Sequence, residues 1–189
     1  MMKFENDNMI LYCMARAGTK SLSASVMGKP YNFYRGMIEF EDSLEYPAHY
    51  YIKIEDIKDE DKIQVISLRN PLERFLSGNA LWEFLWNDPF WSVKMPESGN
   101  PNYMDYDLFM AQHGAPFLHR LNRDIDFKIL PFDRIHEYAD KKLGNDPVTD
   151  RVWKEEFNQK YNWSLEMQYY EELLENKEII TPEEYKCLL

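Results

Sequence analysis

The chain has 189 residues, 44% of them hydrophobic and 15% aromatic, with a formal net charge of −11. That length and apolar content suit one folded domain with a sizeable core and exclude wholesale disorder. The acidic balance repels phosphate backbones, which argues against nucleic acid as a partner, and a polyanionic ligand would have to be met by cations gathered locally.

In chain order, Met9 to Met14 is a short continuous apolar run, as a buried strand of a parallel sheet requires. It breaks at Ala15-Arg16-Ala17-Gly18-Thr19, and helical spacing follows through Leu22 and Val26 to a stop near Gly28 and Pro30. Further strands are expected within Tyr31 to Phe40 and Tyr50 to Ile54. Ile63, Val65, Ile66 and Leu68 make a second compact, β-branched strand. Arg69-Asn70-Pro71 interrupts it; Pro71 suits a first helical turn, and Leu72, Phe75, Leu76, Ala80, Leu81, Phe84 and Leu85 continue at helical spacing.

Residues 86–103, rich in Pro, Asn, Gly and aromatics, predict a long loop of the kind used as a lid or binding loop. Trp82, Phe84, Trp86, Phe90, Trp91 and Tyr103, across the end of that helical run and the loop, read either as an acceptor platform or as helix core followed by loop packing. A helix over Tyr106 to Gln112, a strand over Phe127 to Leu130 and a helix over Ile135 to Leu143 come next. The remainder predicts charged helices whose apolar side is Trp163, Leu165, Met167, Tyr170, Leu173 and Leu174. Strands alternating with helices predict an α/β fold, a three-layer sandwich around a mostly parallel sheet, with the core over 8–145 and C-terminal helices over 146–189.

The two cysteines, Cys13 and Cys187, lie at opposite ends, and Cys13 in its apolar run is expected as a buried thiol. The start, MMKFENDN, carries no hydrophobic targeting stretch, so a reducing cytoplasm is the expected setting. No run approaches the ~18 apolar residues of a membrane span. No His or Cys cluster has metal-ligand spacing, and no metal is expected.

Two segments carry chemistry. Arg16-Ala17-Gly18-Thr19-Lys20-Ser21 lies between a strand and a helix. There a glycine admits close backbone approach, and the helix start offers unpaired N–H groups to an anion. Thr19 and Ser21 add hydroxyls and Arg16 and Lys20 add charge, although Ser and Thr near a helix start also serve as simple caps. It is not a Walker A loop, because Thr19 separates Gly18 from Lys20 and the first glycine is missing. The second segment runs from Arg69 to Ser77. Arg69 leaves the carboxyl end of a strand, where open α/β sheets bind ligands, and Arg74 and Ser77, three apart, share a helical face. Alone, Arg74 also reads as a surface partner of Glu73.

Together these segments resemble the sulfotransferase superfamily. Arg16-Ala17-Gly18-Thr19-Lys20-Ser21-Leu22 is similar to its 5′-phosphosulfate loop, and Arg69, Pro71, Arg74 and Ser77 match its 3′-phosphate motif Arg-x-Pro-x-x-Arg-x-x-Ser. Phe127 to Ile135 resembles the later strand and loop, where the family often has an acidic residue near Asp133. The resemblance spans about Met9 to Leu143 and implies a P-loop NTPase-like sulfotransferase fold. The implied cofactor is 3′-phosphoadenosine-5′-phosphosulfate (PAPS), and the implied activity is sulfuryl transfer to a hydroxyl of a carbohydrate or small molecule. It implies that the loop 16–21 cradles the phosphosulfate, and that Arg69 and Ser77, with Arg74, hold the 3′-phosphate. Arg16 stands where lysine is usual; a guanidinium with a pKa above about 12 stabilises charge but does not donate a proton. The readings that compete are a kinase with a degenerate loop and a nucleotide-binding module without catalysis.

The acceptor hydroxyl needs a base, worth roughly 10²- to 10⁴-fold. His49 is the expected one, since a comparable histidine precedes the 3′-phosphate motif in uronosyl-type carbohydrate relatives; the alternative is a half-buried histidine packed among Tyr46, Tyr50 and Tyr51. Glu39 and Glu41 compete, because tyrosine-type relatives use a glutamate beyond the first loop. His113 and His119 fall in a region that lies near the acceptor cleft of some carbohydrate-type relatives, and His136 reads as a surface helix residue.

Overall fold

A computed structural model describes residues 2–14, 17–28, 31–34, 37–40, 45–47, 57, 61–77, 115–124, 126–139 and 162–189. The run at Met9 is strand β2 (Met9–Cys13), and all five of its residues are buried. Burial on both faces is what a β-branched and aliphatic run without polar alternation requires. Strand β6 (Ile63–Leu68) lies parallel beside it, buried in five of its six positions, and β7 (Lys128–Pro131) lies parallel beside β6. The other edge is β1 (Met2–Glu5), antiparallel to β2. The result is a mixed, mostly parallel four-stranded sheet of order β1-β2-β6-β7, as expected of an α/β chain.

Strand β1 was not anticipated, because Lys3 and Glu5 make the segment look polar. Its alternation puts Met2 and Phe4 inside and leaves Glu5 exposed. The connection to β2 is tightened by Asn6, whose Oδ1 accepts the N–H groups of Asn8 and Met9, both at 2.9 Å.

Helix α1 (Thr19–Met27) ends at Gly28 in the left-handed region, the expected stop, and packs on β1 and β2. Its Leu22 and Val26 join Phe4, Met9, Leu11, Cys13, Val65 and Leu130 in one core cluster. Burial raises the Cys13 thiol well above its ordinary value, so this cysteine is a packing residue and not a nucleophile. The segment expected as strand after Pro30 forms a separate antiparallel sheet, β3 (Tyr31–Tyr34), β4 (Met37–Phe40) and β5 (Glu45–Pro47), in that order. The strand expected over Tyr50 to Ile54 lies outside the described residues.

The chain divides into two units. The first comprises Met1–Arg69, Ile125–Lys142 and Lys177–Leu189; the second comprises Asn70–Asp124 and Leu143–Asn176. In the first, a 3₁₀ turn (Phe132–Arg134) follows β7 and leads into α4 (Ile135–Tyr138). That helix is shorter than the expected Ile135 to Leu143. The backbone becomes extended at Ala139, and the buried Tyr138 ring is anchored there by a 2.8 Å hydrogen bond from its hydroxyl to the Ile180 carbonyl.

The end of the chain is stitched to the same unit. Ile129 and Ile179 form a parallel bridge beside β7, with Ile129 N–H donating to Glu178 O (2.7 Å) and Ile180 N–H to Ile129 O (3.0 Å). Helix α6 (Pro182–Cys187) follows, with Pro182 in its first turn and Thr181 Oγ1 accepting Glu184 N–H at 3.1 Å. Its Tyr185 packs edge-on against Tyr138 at 5.7 Å.

The second unit, as described, is helical: α2 over 71–77, α3 (Ala115–Asp124) and α5 (Ser164–Asn176). Helix α3 was not expected, its start being marked by Gly114 and Pro116, yet Leu118 and Leu121 are buried and it packs on α5. Trp163 is buried against Phe75, ring centroids 5.5 Å apart. The apolar side assigned to α5 is corrected at one point. Leu165 is half exposed and the neighbouring Glu166 is buried, because the inward face follows Trp163, Glu166, Tyr170 and Leu173 at helical spacing. The helix expected over Tyr106 to Gln112 and the long loop 86–103 lie outside the described residues. No helix among the described residues is long and apolar enough to cross a membrane.

One ion-pair cluster ties the end of the chain to the sheet. Lys128 on β7 reaches Glu178 (2.7 Å) and Glu184 (2.6 Å), and these contacts, Glu178 first, raise its pKa. A raised folded-state value stabilises the fold below the unfolded-state value of about 10.4, and that contribution fades as pH rises through the folded-state value. Because Glu178 is largely exposed, Lys128→Met should cost under about 1 kcal/mol at pH 7. In paired urea titrations the gap between wild type and Lys128→Met should narrow above about pH 10.5.

Candidate functional site

The register of the parallel strands decides which loops meet. Cys13 pairs with Ser67 and Ser67 with Leu130, so β2, β6 and β7 end level. The turn after β2, Arg69 after β6 and Phe132 after β7 therefore leave the sheet along one carboxyl edge, the edge at which α/β sheets bind ligands.

The turn after β2 is held by its own backbone and by its neighbour strand. Ala17 N–H donates to Met14 O at 3.0 Å, and Thr19 Oγ1 reaches the same carbonyl at 3.4 Å. The buried Ser67 hydroxyl donates to the Ala17 carbonyl, crossing from β6 to the turn. Gly18 then occupies the left-handed region (φ 83°, ψ 17°) as the N-cap of α1, and its carbonyl accepts the first helical bond from Leu22 N–H at 3.1 Å. No side chain caps that helix start, and its first turn holds no acidic residue. In a chain with 33 acidic residues, this leaves the partial positive charge of the helix terminus unopposed from within the helix. Thr19 and Ser21 are thus not N-caps: Thr19 bonds backward to Met14, and Ser21 is buried in the first turn.

Gly18 is required for two reasons. A side chain at φ 83° is strained, and a Cβ there would overlap Ile135 Cδ1 and press on Phe132 Cδ2 at 3.3 Å. The Phe132 ring also carries the Arg69 guanidinium over its face, 4.2 Å from the ring centroid.

The helix after Arg69 begins as its sequence implies. Asn70 Oδ1 accepts Glu73 N–H at 3.2 Å and Asn70 O accepts Arg74 N–H at 2.9 Å, so Asn70 is the N-cap and Pro71 the first helical residue. Arg74 and Ser77 are both buried, which removes the reading of Arg74 as a surface partner of Glu73. A guanidinium taken out of water is costly unless it is paired and hydrogen-bonded.

Of the other expected site residues, Arg16, Glu41, His49 and His113 lie outside the described residues. Lys20 lies in the first turn of α1, and Glu39 sits on β4, paired with Asn32 and Glu45. His119 packs in a tilted arrangement against Tyr169, ring centroids 4.9 Å apart, between α3 and α5, and His136 is exposed, as expected of a surface residue. Asp133 is exposed on its 3₁₀ turn. Two residues at this edge were not singled out from the sequence. Ser67 is a hydroxyl inside an apolar strand two positions before Arg69, a signal that was legible; Phe132 gave none, because nothing local says which ring an arginine will choose. No cluster of His, Cys, Asp or Glu suited to a metal occurs among the described residues.

Gly18→Ala should cost about 2–3 kcal/mol in urea unfolding, from backbone strain plus overlap with the buried Ile135. Gly28→Ala is the matched control: it has φ 62° and nothing within 4 Å, so it should cost only the strain, about 1 kcal/mol.

No protein-family model, curated protein or solved structure matches the chain.

Proposed function

We propose that the chain is a PAPS-dependent sulfotransferase on a P-loop NTPase-like fold, moving a sulfuryl group to a hydroxyl, with a carbohydrate as the favoured acceptor. The observation that carries the reading is the level, parallel pairing of β2 with β6. It sets the glycine turn of the first motif and Arg69 of the second at one sheet edge. A left-handed Gly18 before an uncapped helix start is what close approach of a phosphosulfate demands.

On this reading the backbone N–H groups of 18–21, with Thr19, Lys20 and Ser21, hold the 5′-phosphosulfate against the start of α1. Arg69 pairs with the 3′-phosphate, and the same motif assigns Arg74 and Ser77 to that phosphate. His49 takes the proton from the acceptor hydroxyl while its oxygen bonds to sulfur. The bond from sulfur to the phosphate oxygen breaks, leaving adenosine 3′,5′-bisphosphate. Arg16 stabilises charge on the transferring group, and Glu39 and Glu41 are the competing bases. Such in-line transfer is mostly positioning and electrostatic stabilisation.

Calorimetry with adenosine 3′,5′-bisphosphate should give micromolar binding, with 5′-AMP weaker. Arg69→Ala should lower affinity for the bisphosphate by roughly ten- to a hundredfold, the worth of a charged hydrogen-bonded contact. Binding of ATP with magnesium but not of the bisphosphate would replace this reading with a kinase. In an acceptor assay His49→Ala should lose roughly 10²- to 10⁴-fold in kcat with nucleotide affinity unchanged; full activity would move the base to Glu39 or Glu41.

A further inference from the structure

Arg69 and the glycine turn come from different strands, yet both rest on one ring. The edge of Phe132 formed by Cδ2 and Cε2 lies where Gly18 has no side chain, and its face carries the Arg69 guanidinium at 4.2 Å. Phe132 opens the 3₁₀ turn directly after β7, whose end is level with those of β2 and β6. Its backbone is therefore fixed by the same sheet that fixes the other two.

An arginine side chain loses much rotamer freedom on being held in one place. A contact through the ring face restrains the guanidinium without consuming any of its N–H donors, which lie in its own plane and suit the oxygens of a phosphate.

We propose that Phe132 is a positioning residue: it pre-orients Arg69 and keeps it in register with the glycine turn, so that preference for a 3′-phosphorylated nucleotide depends on an aromatic ring at position 132. The inference rests on the reading of Arg69 as the 3′-phosphate ligand, and it adds a specificity determinant that touches the arginine and not the phosphate.

The test is a calorimetric comparison of wild type, Phe132→Leu, Phe132→Tyr and Arg69→Ala, each titrated with adenosine 3′,5′-bisphosphate and with 5′-AMP. Leucine keeps an apolar side chain against Gly18 but has no ring face, and tyrosine keeps the face. Phe132→Leu should weaken bisphosphate binding about fivefold and leave 5′-AMP binding unchanged, while Phe132→Tyr should restore the wild-type preference. Unchanged 5′-AMP binding also reports that the variant is folded. In the Arg69→Ala background Phe132→Leu should have no further effect on the bisphosphate, which a general packing defect would not reproduce. If wild type shows an Arg69-dependent preference that Phe132→Leu leaves intact, the positioning role is wrong and the nucleotide reading stands. Equal loss of both nucleotides in Phe132→Leu, not rescued by tyrosine, would make the ring structural and overturn the inference. If wild type has no preference for the bisphosphate, the reading of Arg69 falls and the inference with it.

Discussion

The parallel pairing of β2 with β6 is the constraint on which the rest of the candidate site depends. Both strands are apolar nearly throughout, and both are buried almost end to end. A strand buried on both faces has little freedom to slip, since a one-residue shift would send every side chain to the opposite face. With the register set at Cys13 and Ser67, Met14 and Arg69 must leave the sheet together. The chemistry at the edge is inherited from the packing of the sheet below it.

That edge is narrow, and its parts are mutually restrained. Ser67 pins the Ala17 carbonyl, Ile135 and Phe132 fill the space where a side chain at position 18 would go, and Arg69 lies on the ring of Phe132. Each contact comes from a different segment of the chain. The turn keeps a left-handed residue at the mouth of a helix because everything around it leaves room for glycine and nothing larger. Ile135 and Tyr138 of α4 belong in turn to the core cluster that includes Ile180 and Tyr185, so the C-terminal segment buttresses the turn through the core.

The charge of the chain sharpens the meaning of this arrangement. With 33 acidic and 22 basic residues, a general affinity for anions is unavailable, and an anion can be held only where local geometry reverses the field. At the start of α1 the first turn holds no acidic residue, and the ring of Phe132 next to Gly18 carries the Arg69 guanidinium over its face. Among the described residues of the same unit, Lys62 pairs with Glu5, Lys128 with Glu178 and Glu184, and Arg134 with Glu137.

The local signals lie in the sequence itself. The double-sided strands at Met9 and Ile63, the glycine stop at Gly28, and the Asn-Pro start of α2 each depend on properties of a few adjacent residues, and these elements form where their patterns say. Elements whose pattern is short or mixed were missed. Strand β1 is an edge with charged residues on its open side, and α3 follows a glycine and has a proline in its first turn. Burial of Glu166 in place of Leu165 and the early end of α4 at Tyr138 arose from packing against partners distant in sequence. By itself, then, the sequence determined the α/β class, the two double-sided strands and the glycine that turns the chain into α1, because backbone sterics and hydrophobic periodicity act over a few residues. Only the tertiary structure decided that Ser67 anchors Ala17 and that Arg69 rests on Phe132. Those contacts join residues 50 or more positions apart, and strand register, which no local pattern encodes, is what brings them together.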